Sequence, residues 1–398
     1  MNSNAPDPDR TPAGEDPPPA IGTATGTATS TATSGGAGPH PGPVNWSMAA
    51  RLANRIVRPG PETDRAEASD LVDGLRRAAG VAAGHVGRIT GLVPADGSDP
   101  AVAGVSRVVV VDRSGWTRAN TELLATLTSG VVLARDGKAP SRATQVAGAA
   151  EAGGVLALLS GKVLGQFDPF TRAPDAAGVT RGRLLLVAPN VLQVERELNV
   201  VPADFRLWVA LHEQTHALQF AAAPWLVDHL RARTRTLLTD LTREDGPEER
   251  SRARALASLV ARALRGDDDA PGMDSILRPD ERRIFQEVGA VMALLEGHAD
   301  VAMDAVGASV VPTVRQIRAR FESRRSAGGR RGPGDRVLRR LLGLDLKLAQ
   351  YREGAAFVRA VTGAVGQDGL NAVWTEPANL PGSREIADPR AWVRRVHG

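Results

Sequence analysis

Apolar positions recur along this chain at two periods, and the longer one dominates. Spacings of three and four residues mark a helix with one buried face. They run through "RAEASDLVDGLRRAAGVAAGHVGRITGL", predicting one helix, or two with a break at Gly80 or Gly84. They return in "WTRANTELLATLTSG" and in "ATQVAGAAEAGGVLALLSGKVLG", where the Gly153–Gly154 pair marks a bend or a close crossing. Two runs break the pattern: "VSRVVVVDR" and "GRLLLVAP" predict strands. "NVLQVERELNV" reads as a short helix ended by Pro202, and another helix starts near Phe205 with Asp204 as its candidate cap. Further helices are predicted over 225–242, 248–265, 278–304, 310–325 and 335–364, with a short tail after "PANLPGS". The sum is a predominantly α fold with a small sheet (α+β).

Composition narrows this picture. Residues 1–43 are mostly Ala, Thr, Gly, Pro and Ser, too apolar-poor to offset their ordering entropy, and are expected to be a disordered tail ahead of a domain over 44–398. Aromatics are only 4% of the chain, so the core must rest on Leu, Val and Ala. No run nears the roughly 18 apolar residues of a membrane span. "MNSNAPDPDR" has no basic and apolar leader, which predicts a cytoplasmic protein. There are no cysteines, so a metal site would have to use His, Asp or Glu. The net charge of +4 is carried almost wholly by arginine, but acidic and basic residues alternate and no nucleic-acid motif appears. No nucleic-acid partner is therefore expected. The one dense basic run, "RRSAGGRRGPGDR" (Arg324 to Arg336), reads as a solvated loop or a docking patch. Nothing in the sequence sets the oligomeric state.

The chemistry concentrates in "LWVALHEQTHALQF" (Leu207 to Phe220). His212 and His216 are four apart, so on a helix both rings leave one face and can meet one zinc ion at about 2.0–2.1 Å. Glu213, about 100° round the helix, reaches a water beside that ion without ligating it, as a general base must. The alternative is an amphipathic helix with a salt-bridged polar patch. It lacks a partner: the helical neighbours of Glu213 are Val209, Ala210, His216 and Ala217.

A third ligand is needed. "AVMALLEGHADVAMD" offers Glu296, with Asp300 four residues on to accept the second N–H of a ligand histidine. Gly297 would let this helix approach the motif helix closely. His298 is the alternative third ligand, or a donor to the oxyanion, and the stretch could also be an ordinary solvated face. His40 falls in the tail; His85 and His229 read as surface or core residues.

Together His212, Glu213, His216, Glu296 and Asp300 resemble the gluzincin pattern of the zincin metallopeptidases. The segments "VNWSMAARLANRIVRPGP", "LLSGKVLGQFDPF", "LHEQTHALQF", "LLEGHADVAMD", "LLGLDLKLAQYREGAAFV" and "WTEPANLPGSREIADPRAWVRRV" resemble an actinobacterial zincin-like family of hydrolases and zinc-dependent metalloproteases. One branch of that family is associated with biosynthesis of the deazaflavin coenzyme F-420. The chain departs from thermolysin-like enzymes between His216 and Glu296, where 225–284 would be a helical insertion walling the cleft. The resemblance implies one zinc ion, hydrolysis of a peptide or small amide with Glu213 as base, and an oxyanion donor. Tyr351, the single tyrosine, is the candidate donor, against the reading of a satisfied core residue; Arg352 is a weaker one. "GRLLLVAP" is a candidate edge strand for an extended substrate, or an interior strand. The competing functions are a zinc-binding scaffold without turnover, which a fourth protein ligand would favour, and a hydrolase of a small amide linked to deazaflavin metabolism.

Overall fold

Four consecutive apolar residues, Leu184 to Val187, are all buried, and that burial decides where their strand sits. In this computed structural model, which describes residues 44–129, 141–174, 178–242, 277–327 and 344–398, three strands make one sheet. Only the backbone is described for 241–242, 325–327 and 344–352. Strand β1 (Arg107–Val111) lies parallel to β3 (Thr180–Val187), and β2 (Gly165–Pro174) lies antiparallel on the other side of β3. Leu184 and Leu186 join one apolar cluster, Leu185 and Val187 another, so β3 is covered on both faces and carries an unbroken apolar run. Of the two readings of "GRLLLVAP", the interior strand is the one observed: it pairs with β1 on one side and β2 on the other, and β2 is an edge. β2 escaped the sequence reading because "GQFDPFTRAP" contains Pro169 and no alternation. It tolerates the proline through a register shift between Asp168 and Ala173.

Helices make up most of the rest. Helix α1 (Trp46–Ile56) is crossed by α5 (Arg142–Ser160), where a Cβ on Gly153 would stand 2.8 Å from the Ala49 carbonyl oxygen. Helix α2 (Arg65–Thr90) is continuous through Gly80 and Gly84. The short α3 (Pro100–Ala103) packs on it, and α4 (Arg113–Thr128) lies between β1 and α5 in the chain. Helix α6 (Ala188–Leu198) leaves β3 directly. The motif helix α7 (Pro202–Ala222) starts on proline without a side-chain cap. Asp204 does not cap it but accepts from the Thr313 amide and hydroxyl at 2.8 and 2.6 Å, tying α7 to a distant turn.

After α8 (Trp225–Thr242) come α9 (Pro279–Ala305), α10 (Val314–Ala327), α11 (Leu344–Asn371), α12 (Ser383–Ala387) and α13 (Pro389–His397). Helix α11 bends at Gly366, whose φ of 76° requires glycine. The main core is built where α2, α7, α9 and α11 meet the Leu184/Leu186 face of the sheet. The tail, the helix predicted over 248–265, most of the Arg324–Arg336 run and the start of the predicted 335–364 helix lie outside the described residues. Among those described, no helix is long and apolar enough to cross a membrane.

Gly297 does permit a close approach, but of α9 to α11 rather than to the motif helix: a Cβ there would overlap the backbone of Gly354 and Ala355. Gly297→Ala should therefore cost stability at or above the ~1–3 kcal/mol typical of overpacking, measured by urea unfolding. A methyl group on Gly80 would meet nothing within 4 Å. Gly80→Ala should instead gain about 0.4–1 kcal/mol through helix propensity and a less flexible unfolded chain.

Candidate metal centre

Helix α7 offers two working faces because its polar residues sit at different angles in an apolar sequence. One face carries His212, His216 and Gln219 toward α9; the other carries Glu213 toward β2. On α9, Glu296 completes the first group. Its carboxylate oxygens stand 3.5 Å from His212 Nε2 and 3.8 Å from His216 Nε2, and the two Nε2 atoms are 3.2 Å apart. Donors at tetrahedral corners about 2.0–2.1 Å from a zinc ion would be about 3.4 Å apart. The two imidazoles and the carboxylate therefore fit zinc in both kind and spacing. Among the described residues this is the one cluster of three or more His, Asp or Glu groups able to hold a metal ion.

The far sides of both rings are also held. His212 Nδ1 faces the sulfur of Met303 at 3.1 Å, and His216 Nδ1 faces Gln219 Oε1 at 3.0 Å. Each partner is an acceptor at that contact, which leaves both Nε2 atoms turned to the ligand position. Asp300 does not serve there. Its carboxylate forms a two-pronged pair with Arg318 at 2.6 and 2.8 Å, so the positive charge needed beside it comes from α10, not from a ligand ring. Its remaining influence on His212 is through space.

Electrostatics separate the groups sharply. Burial disfavours the charged form of His212, but the Glu296 carboxylate beside it more than compensates, with Glu213 and Asp300 adding to the effect, and lifts the ring to about 9. Burial raises Glu213 to about 7, further assisted by Glu296 and opposed by His212 and the Phe167 amide, which hydrogen-bonds it. Burial lowers His216, and burial with neighbouring His216 brings His298 down to about 4.

His298 is buried, packs its ring against Trp374 at 5.4 Å, and stands outside the three-donor cluster, against Gln219. Tyr351 and Arg352 lie on α11, their side chains outside the described residues. Three contributors had no sequence reading. Gln219 and Met303 support the rings, and Gly165 of β2 lets the strand touch Glu213, where a Cβ would come within 2.6 Å of Cγ. A polar residue one turn after the second histidine, in the otherwise apolar "ALQF", was the available signal for Gln219.

Comparison with known proteins places the chain among zincin-like sequences. The family described as zincin-like metallopeptidase matches residues 44–393. A crystal structure from Chloroflexus aurantiacus, of "a putative hydrolase with a novel fold", is similar with a TM-score of 0.60 and 29% identity, covering 88% of this chain and 98% of that one. No curated protein matches significantly.

Two outcomes follow for metal binding. Glu296→Ala should lose most of its zinc by elemental analysis while the wild type retains close to one ion per chain; equal zinc in both would remove Glu296 from the ligand set. Because the His212 ring is held protonated up to about 9, proton and metal compete for it. Zinc binding at pH 7 should release about one proton, seen as a buffer-dependent enthalpy in titration calorimetry, and apparent affinity should climb with pH until about 9.

Proposed function

The chain belongs to the zincin-like metallopeptidase family, and from that premise we propose that it is a zinc-dependent hydrolase that cleaves an amide bond, with Glu213 as general base. The observation that carries this reading is the division of α7 into a ligand face and a base face. His212, His216 and Glu296 would hold the ion, which supplies Lewis acidity toward a water and a carbonyl oxygen. Glu213 takes the proton of the attacking water and returns it to the departing amine. A carboxyl with a pKa near neutrality suits both tasks, since it can accept and then release a proton at working pH. The Phe167 amide and the open Gly165 position fix where that carboxylate stands.

Among the described residues the cluster has three protein donors, as a site with one position left for substrate or water would have, and not the four usual for a structural zinc. That favours turnover over a scaffold role. For the substrate, β2 supplies the sheet edge nearest Glu213. It is paired with β3 on one side, while Gly165 and Phe167 meet Glu213, so an extended peptide laid along β2 would pass the base. A cavity of about 190 Å³ bounded by Phe167, Ala217, Phe220 and Val227, and by Asp96 and Arg172, opens one turn beyond Glu213 and would receive a side chain with an apolar body and a polar end.

Glu213→Gln should bind zinc like the wild type yet lose turnover by about 10²–10⁴-fold, assayed by mass spectrometry on a mixed peptide pool and on small acyl-amides. Gly165→Ala should behave similarly, because its methyl displaces the base and not the ligands. Zinc-loaded wild type that cleaves neither class would overturn the hydrolase assignment; cleavage of small amides alone would overturn the peptidase part.

A further inference from the structure

Gln219 is fully buried on α7, one turn after His216, and its amide touches three groups at once. Nε2 donates to the Leu295 carbonyl at 3.0 Å and stands 3.0 Å from His298 Nδ1; Oε1 stands 3.0 Å from His216 Nδ1. The orientation of this amide has an internal arbiter. A backbone carbonyl can only accept, so the nitrogen must face Leu295 and the oxygen must face His216. An amide oxygen also only accepts, so His216 must carry its proton on Nδ1. That leaves the Nε2 lone pair bare, on the side shared with His212 and Glu296. The second N–H of Gln219 points at His298 Nδ1, which must accept and hold the ring proton on Nε2.

We infer that Gln219 is a positioning residue that sets the tautomers of His216 and His298 in opposite senses, and that the Leu295 carbonyl in turn sets Gln219. Leu295 directly precedes Glu296 on α9. The backbone that delivers the carboxylate ligand therefore also readies the histidine ligand on α7, and the two helices are matched in register through one amide. The chemistry explains why an amide stands where a carboxylate commonly holds the far side of a ligand histidine. A carboxylate would accept from His216 but could not donate to Leu295, leaving that carbonyl without its partner, and it would turn His298 to the opposite tautomer. It also assigns His298 a use: it is the acceptor that satisfies the last amide hydrogen.

The inference concerns the ligand's proton and is independent of turnover. Its test is the two-bond ¹⁵N–¹H correlation spectrum of full-length, metal-free protein labelled at histidine, with signals assigned by single-histidine exchanges. Wild type should show His216 protonated at Nδ1 and His298 at Nε2. Gln219→Glu keeps the acceptor and loses the donor: His216 should keep its tautomer, while His298, now facing a second carboxylate oxygen, should move its proton to Nδ1. Gln219→Leu should move the His216 proton to Nε2 and weaken zinc binding about 10–100-fold, read by competition with a fluorescent chelator. His216 protonated at Nε2 in the wild type would overturn the inference without any variant, so a Gln219→Leu chain that fails to fold still leaves it decided. A folded Gln219→Leu protein with unchanged tautomer and zinc affinity would overturn it as well. Correct tautomers and tight zinc without hydrolysis would refute the enzyme assignment and leave this inference standing.

Discussion

Two carboxylates, Glu213 and Glu296, flank one imidazole at the meeting of α7, α9 and β2, and the surrounding structure is arranged to hold them there. Burial alone would expel or neutralise such groups. They are tolerated because Glu296 and Glu213 both favour the protonated form of His212 beside them, and because the three donors fit a metal ion. The scaffold then has to resist relaxation. Helix α9 cannot withdraw without breaking the glycine contact between Gly297 and Gly354. Helix α7 is held from behind, where Gln214 donates to the Ala79 carbonyl of α2 and accepts from Ser106. The Glu213 face is closed by β2 at Gly165 and Phe167.

Arginine does much of the anchoring, and the near absence of lysine fits that use. A planar guanidinium can satisfy several buried acceptors in fixed directions, where an ammonium is a hydrated point charge. Arg206, on α7 itself, joins Glu195 of α6 to Asp70 of α2. Arg183 of β3 reaches Asp168 of β2, Glu122 and the Ala119 carbonyl. Asp168 also accepts from the amides of Phe170 and Thr171, so it pins the irregular part of β2 next to the residue that touches Glu213. Arg113, at the start of α4, spans Asn190 and Gln193 of α6 and the carbonyls of Arg58 and Pro59, binding both helices to the segment that follows α1. The same logic reassigned Asp300: Arg318 presents a fork that matches a carboxylate, and a histidine N–H competes poorly with it.

What could be read from the chain alone were the features whose physics is local. Spacing of four placed His212 and His216 on one face, and the lack of a basic neighbour marked Glu213 as unpaired along its helix. The long helices followed from their three-and-four periodicity, and β3 from its apolar run. Glu296 was legible as a candidate because it stands four residues from Asp300, two like charges on one face that need a cation beside them, although His298 was open as the alternative ligand. Features depending on residues far apart in sequence were not legible. The centrality of β3 depends on β1 and β2 both pairing with it. The strand character of "GQFDPFTRAP" depends on β3 beside it and on Arg183 beneath its bend. Which carboxylate Arg318 takes, which helix Gly297 approaches, and which atom Gln219 faces are all set by α9, α10 and α11 coming together. A sequence specifies donors and acceptors in abundance; only packing decides which pairs come within three ångströms, because each buried group must choose from the few partners the fold brings to it.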